Sequence, residues 1–177
     1  MSHHPRQGND LIDLIQKSNK KIQVIAEIGV WKSHTVKRVL RKTHRQISEY
    51  WGIDHWGTSP WWRYRRLKDD YWELLYLAAC RLMTFFSKLH ILRMKSLEAV
   101  ELFPDNYFDL IFIDADHSYE AVKADIKAWL PKMKKGGYFT GHDYYEKKPG
   151  VIQAVDEYFG KGKVTVTEAA VWIWRVK

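Results

Sequence analysis

Short apolar runs alternate along the chain, from Ile22 onward, with longer stretches in which apolar residues recur every three or four positions. Unbroken or period-two runs suit strands and a 3.6-residue period suits helices, so the alternation predicts βα units on a mainly parallel sheet. Asp10 to Asn19 places Leu11, Leu14 and Ile15 on one face, which predicts a short leading helix. Strands are expected over residues 22–28, 46–54 and 89–94, with a helix from about Thr35 to Leu40 after the first. "SLEAVELF" reads as a short helix with Ser96 as its N-cap. The strongest buried strand is "FDLIFIDADH", where four large apolar residues stand between Asp109 and Asp114.

From Tyr119 to Leu130, Val122, Ile126, Trp129 and Leu130 form a helical stripe that Pro131 stops. Gly136 and Gly137 are expected to turn the chain into a fifth strand, "YFTGHD". A helix follows Pro149 and Gly150, with Val151, Val155, Tyr158 and Phe159 inward. "KVTVT" and "VWIWRVK" then read as an antiparallel pair at one sheet edge, Trp172 and Trp174 serving the core. The sum is an α/β fold: a Rossmann-like, doubly wound, mainly parallel sheet of about seven strands with an antiparallel C-terminal strand. Residues 1–177 read as one domain without repeats or a linker, and residues 55–88 as a helical, substrate-shaping segment within it. In that segment Trp72, Leu75, Tyr76, Ala79, Leu82, Met83 and Phe86 follow helical spacing, while Leu74, Leu77 and Cys80 make the helix apolar nearly all round. Most of it should be buried or shared with a partner, so a homodimer is open.

A chain of 177 residues buries roughly two thirds of its unfolded surface without metal or disulfide support. Its single cysteine, Cys80, cannot form an internal bridge, and its apolar neighbours suggest a packing thiol, so a cytoplasmic location is expected. "MSHHPRQGND" has no apolar core behind its charges, and Glu73 and Arg81 interrupt the greasiest stretch. Neither a signal peptide nor a membrane span is expected. Lys plus Arg number 29 against 21 Asp plus Glu, a net charge of +8 beside nine tryptophans. That surface suits an anionic partner, and "WWRYRRLK", residues 61–68, joins stacking rings to cations as a single-stranded nucleic acid would require. The same tryptophans can instead cap the following helix against the core.

In an open α/β sheet, ligands bind beyond the carboxyl ends of the strands. Those ends offer Glu27 and Gly29, then Asp54, Ser96, Asp114 with Asp116 and His117, and His142 with Asp143. Packing gains nothing from acids there, because an unpaired buried charge costs several kcal/mol, so they are expected to face a cleft. A carboxylate ending strand two can accept both hydroxyls of a ribose, and it can equally cap the next turn.

"AEIGVWKSHT", "WGID", "FDLIFIDADHSYEAVKADIKAWLPKMKKGGYFTGHDY" and "PGVIQAVDEYFG" together resemble class I S-adenosylmethionine-dependent methyltransferases, most closely the small O-methyltransferase-like group with "FIDADHSYE" and "GHD" motifs. The resemblance covers roughly residues 22–160 and is most specific in the second half. It implies that Glu27 and Gly29 contact the methionine end of the cofactor, that Asp54 holds the ribose, that Ser96 lies near the adenine, and that Asp114 faces the cofactor amino group or a metal. It also implies Asp114 and Asp143 as ligands of a divalent cation such as magnesium. Three positions depart from the family pattern: Ser33 replaces a second loop glycine, Lys95 an acid, and Tyr144 an Asn or Asp.

Methyl transfer to a hydroxyl needs alignment and removal of a proton. His142 is the expected base, with Asp114 and Asp143 completing the catalytic set, while His117 is read as a helix-opening residue satisfied by backbone. The expected activity is O-methylation of a small hydroxylated or sugar-like acceptor. Its alternatives are a nucleic-acid methyltransferase using the basic aromatic segment and a non-catalytic Rossmann-like binding module. An NAD-linked dehydrogenase is disfavoured because two fingerprint glycines are missing.

Overall fold

Alternate residues of each central strand feed two separate apolar layers, and this alternation builds the molecule. In a computed structural model, which describes residues 6–57 and 68–177, the chain runs α1 (Arg6–Lys17), β1 (Val24–Ile28), α2 (His34–Thr43), β2 (Glu49–Asp54), α3 (Asp69–Leu82), β3 (Leu89–Arg93), α4 (Ser96–Ala99), β4 (Phe108–Ile113), α5 (Tyr119–Trp129), β5 (Met133–Gly141), α6 (Pro149–Phe159), β6 (Thr165–Val166) and β7 (Trp172–Arg175). Single 3₁₀ turns, Val100–Leu102 and Leu130–Lys132, extend α4 and α5. Ile25, Leu110 and Phe112 pack against α1, α2 and α3 through Leu11, Val36, Leu40 and Trp72. Ala26, Ile111, Ile113 and Phe139 face the other layer, against Val122, Ile126 and Trp129 of α5 and Val151 and Val155 of α6.

The strand order is β3-β2-β1-β4-β5-β7-β6. The first five strands are parallel, and the β7 pairings with β5 and β6 are antiparallel. The doubly wound sheet and its antiparallel finish therefore match the expected fold class. The crossover direction reverses between β1 and β4, the place where such sheets bind ligands. At the opposite end, buried Asp109 accepts the backbone N–H groups of Gln23 and Val24, which pins the start of β1 to β4.

Several local expectations need correction. Lys95, not Ser96, is the N-cap of α4, without a side-chain hydrogen bond. The fifth strand begins at Met133 rather than after the glycine pair, because Gly136, at φ +76°, lets a bulge absorb the extra residues between the Phe108–Met133 and Leu110–Tyr138 pairings. It ends at Gly141, so His142 and Asp143 sit in the following loop. Tyr158 points outward. Trp172 and Trp174 pack on Phe159 of α6 as core residues. Cys80 is half-buried. In α3 only Trp72 and Ala79 are fully buried, and Leu74 and Leu77 are exposed, so the all-round apolar helix covers the sheet with one face alone. Residues 61–67 of the basic aromatic segment lie outside the described residues. No helix among the described residues is long and apolar enough to cross a membrane.

Candidate active site at the C-terminal rim of the sheet

Ile28 pairs with both Ile53 and Ile113, so the residues that follow emerge side by side: Gly29 from β1, Asp54 from β2 and Asp114 from β4. Backbone bonds extend the alignment past the strand ends, with Gly29 N–H on the Ile53 carbonyl (2.8 Å), Asp114 N–H on Ile28 (2.8 Å) and His142 N–H on Ile113 (3.0 Å). Glu27, Asp54 and Asp114 thus share one rim.

The β1–α2 loop is tightly constrained. Gly29 has φ +93°, and a Cβ there would lie 2.3 Å from the Asp114 carbonyl oxygen. Trp31 and Ser33 also take left-handed backbone. Asp54 ties this loop to its own: its Oδ2 accepts Trp31 N–H and its Oδ1 accepts Trp56 N–H, both at 2.8 Å. Indole Nε1 of Trp56 donates to the Trp31 carbonyl (3.1 Å). Asp54 is therefore a loop cap as well as a rim carboxylate.

Ser33 occupies the N-cap of α2 without a side-chain capping bond, and its buried hydroxyl has no hydrogen-bond partner among the described residues. A helix start leaves amide donors unsatisfied, and a buried hydroxyl beside it adds one more polar group that calls for a ligand. Below the loop, Glu27 is buried and accepts a 2.5 Å hydrogen bond from the Tyr50 hydroxyl. Burial pushes its pKa up to about 8, the Tyr50 bond opposes this, and the nearby charges of Asp114 and Asp54 add to it. At neutral pH Glu27 holds a proton until a cation comes beside it.

The Ser96 hydroxyl donates to Asp125 Oδ1 (2.5 Å) and accepts from Trp129 Nε1 (2.8 Å), fastening α4 to α5. Burial raises Asp125 to about 6 against that bond.

Between β4 and β5 lies a compact charged cluster. Nε2 of His117 is 2.6 Å from Asp143 Oδ2 and 3.8 Å from Asp114 Oδ1. Nδ1 of His142 is 3.5 Å from Asp114 Oδ1 and 3.3 Å from Asp143 Oδ1. Asp143, at φ 62°, is also 3.7 Å from Lys148 Nζ. Burial disfavours charge on His117, but its bonds to Asp114 and Asp143 outweigh this and raise it to about 9. His142 is likewise raised, burial being overcome by Asp114 and Asp143. Burial works against the charge of both acids, and the histidines reverse it and hold them below the usual carboxylate range.

The two histidines meet the same pair of acids in different ways. Nε2 of His142 contacts the Ala169 carbonyl at 3.0 Å, so it must donate there, while Nδ1 faces two carboxylates. The second ring nitrogen therefore points at the two acids, and its proton occupancy sets whether His142 can accept a proton there. His117, expected to be a backbone-satisfied helix opener, supplies instead the third donor of a group with Asp114 and Asp143 whose ligand atoms lie within 4.8 Å of one another. The Asp114-x-x-His117 spacing at a strand end was the signal for it. Tyr144 turns away, donating to Asp156 on α6 (2.7 Å). The hollow beside this group is lined by Ile113, Asp116, Val122, Val151 and Trp172.

Residues 26–144 match the family model described as a methyltransferase domain. An uncharacterized protein of Acanthamoeba polyphaga mimivirus is 39% identical over 54 residues, which is 29% of this chain and 24% of that protein, so the similarity spans about a quarter of the relative's length. Among solved structures, the O-methyltransferase of Bacillus cereus in complex with S-adenosylhomocysteine is 18% identical, with a TM-score of 0.65 over 99% of this chain and 83% of that one. A TDP-rhamnose 3′-O-methyltransferase of calicheamicin biosynthesis is 16% identical, with a TM-score of 0.68 over 99% and 81%. These two likenesses speak for the fold, and the family match covers the rim from β1 to the loop after β5. The chain belongs to the methyltransferase domain family.

Proposed function

We propose that the domain binds S-adenosylmethionine across the carboxyl ends of β1, β2 and β4 and methylates a hydroxyl oxygen of a small hydroxylated or sugar-like acceptor held at the Asp114–His117–Asp143 group. The observation that carries the reading is the alignment of Glu27, Gly29, Asp54 and Asp114 on one rim, beside an uncapped helix start and an unpartnered buried hydroxyl. Those features fit a charged nucleoside. Gly29 and the proton-releasing Glu27 would hold the methionine end, and Asp54, with lone pairs to spare on both oxygens, the ribose hydroxyls. Ser33 replaces a glycine yet adds a hydroxyl toward the same place. When bound, the cofactor supplies a methyl group on a sulfonium, already activated for displacement.

The protein's work is then to align an acceptor oxygen and to take its proton. Asp114 and Asp143 can accept a hydrogen bond from the acceptor hydroxyl, and His142, whose Nδ1 lies 3.5 and 3.3 Å from these acids, is the base proposed to take its proton. The same two carboxylates with His117 Nε2 form a mixed oxygen and nitrogen donor set that fits a divalent cation. An imidazole donor favours manganese or another transition ion over magnesium, which prefers oxygen. A cation there would lower the acceptor pKa and displace the His117 proton, making its affinity rise with pH.

The test is transfer of labelled methyl from S-adenosylmethionine to a panel of catechols, nucleotide sugars and short single-stranded nucleic acids, each with manganese, magnesium or chelator. Label on a small hydroxylated acceptor, stimulated more by manganese than by magnesium, is the expected result. Label confined to nucleic acid would support the basic-segment alternative, and no transfer to any acceptor would support a binding module.

A further inference from the structure

The outer face of α3 carries an apolar stripe that nothing among the described residues covers. Trp72 and Ala79 face the core, with Leu75, Tyr76 and Leu82 packed behind them, whereas Leu74 and Leu77 are 66% and 53% exposed. These two leucines are continued on the same side by Asp70 toward the N-terminus and Arg81 toward the C-terminus, both exposed. The spacing of Asp70, Leu74, Leu77 and Arg81 is four, three and four residues, which places them along one line of a helix, as in a coiled-coil seam.

The charges order that line. An acid closes one end and a base the other, and neither Asp70 nor Arg81 has an ion-pair partner among the described residues; the neighbouring Glu73 is already taken by Arg93. Laid antiparallel on a second copy, with a two-fold axis passing between Leu75 and Tyr76, the stripe meets itself in full: Leu74 lies against Leu77 of the copy, and Asp70 against its Arg81, each contact made twice. The exposed small residue Ala78 falls opposite Glu73 and leaves room for close approach. A parallel arrangement would set acid on acid and base on base. Self-complementarity under a two-fold axis is the defining property of an isologous interface. The position also allows it, since α3 packs on β3, the edge strand at the far side of the sheet from β6.

We propose that α3 is the homodimerisation surface of this protein, pairing antiparallel with α3 of a second copy through Leu74 and Leu77, with Asp70 and Arg81 setting the direction. A helix of 14 residues is about 21 Å long, too short for a standard-sized interface by itself, so a dissociation constant on the order of micromolar is expected.

Sedimentation velocity on the full chain from about 1 to 100 µM, bracketing that constant, tests the proposal with four variants: Leu77→Glu, Asp70→Arg, Arg81→Asp and the last two combined. Leu77→Glu is expected to sediment as a monomer throughout. Each charge reversal alone is expected to weaken association about tenfold, as two like-charge contacts replace two opposite ones, and the combined variant to return to within about twofold of wild type. All three substituted positions are exposed, so circular dichroism should be unchanged; should Leu77→Glu fail to fold, the charge trio decides. A wild type that stays monomeric, a dimer indifferent to Leu77→Glu, or a combined variant as weak as the single reversals would overturn the proposal.

Discussion

Replacing Gly29 with alanine is expected to lower the melting temperature by about 6–12 °C, corresponding to roughly 3 kcal/mol in a chain of this size, and to abolish cofactor binding. The cause is backbone against backbone. At φ +93° the new Cβ would fall 2.3 Å from the Asp114 carbonyl oxygen and 2.8 Å from Ala115 Cα, and neither is the end of a flexible side chain that can swing away. Relief requires the β1–α2 loop and the end of β4 to separate. That movement would pull Trp31 N–H from Asp54 and carry Asp114 away from His142, dismantling both halves of the rim at once. Thermal unfolding followed by calorimetry with S-adenosylhomocysteine measures both effects. A variant with wild-type melting temperature and affinity would show that the loop does not rest on Asp114 as described.

The second large effect is expected from Asp114→Asn. Loss of this carboxylate removes one of three donors from the proposed cation group, and since changes even to residues behind the direct ligands cost about 10–100-fold in metal affinity, a loss of at least about a hundredfold for manganese is expected, with methyl transfer falling in step. A stability signature should accompany it in metal-free protein. The pKa of His117 is raised in the folded state from 6.5 to about 9, so its contribution is fully present below pH 6.5 and is lost as pH rises through 9. Wild-type melting temperature should therefore decline across that window, and Asp114→Asn, with Asp143 as the sole remaining acid partner of His117, should decline less. Calorimetric melting at pH 6, 7.5 and 9 reads the difference. Parallel pH profiles for wild type and variant would contradict the pairing.

Much of this architecture is legible in the chain because burial imposes simple patterns. The "LIFI" run of β4, the stripe from Val122 to Trp129 and the alternating tail of β7 each state their element type through periodicity, and the parallel order then forces the strand-end residues onto one rim. The failures share another cause: they depend on what a side chain meets in three dimensions. Ser96 precedes a helical pattern in the manner of a cap, but Asp125 and Trp129, 29 and 33 positions away, claim its hydroxyl. The Gly136–Gly137 pair looks like a turn, although a neighbouring strand can absorb extra residues as a bulge. The contacts of His142 with the Ala169 carbonyl and two acids are equally invisible in the sequence, 27 positions or more separating it from Ala169 and Asp114. The position of His117 before a helix suggests a backbone-satisfied opener, and its actual partner, Asp143, lies 26 positions on. The outward leucines of α3 show the limit of composition: a helix apolar on every side need not be buried on every side.

If the aligned carboxylates of β1, β2 and β4 grip a charged nucleoside, calorimetric titration with S-adenosylhomocysteine of the wild type and of Asp54→Ala will reveal it. Micromolar affinity is expected for the wild type and at least tenfold weaker binding for the variant, about 1.4 kcal/mol, because Asp54 braces the loop beside the proposed ribose site and would itself hold the ribose. No binding by the wild type, or equal binding by the two proteins, would contradict it.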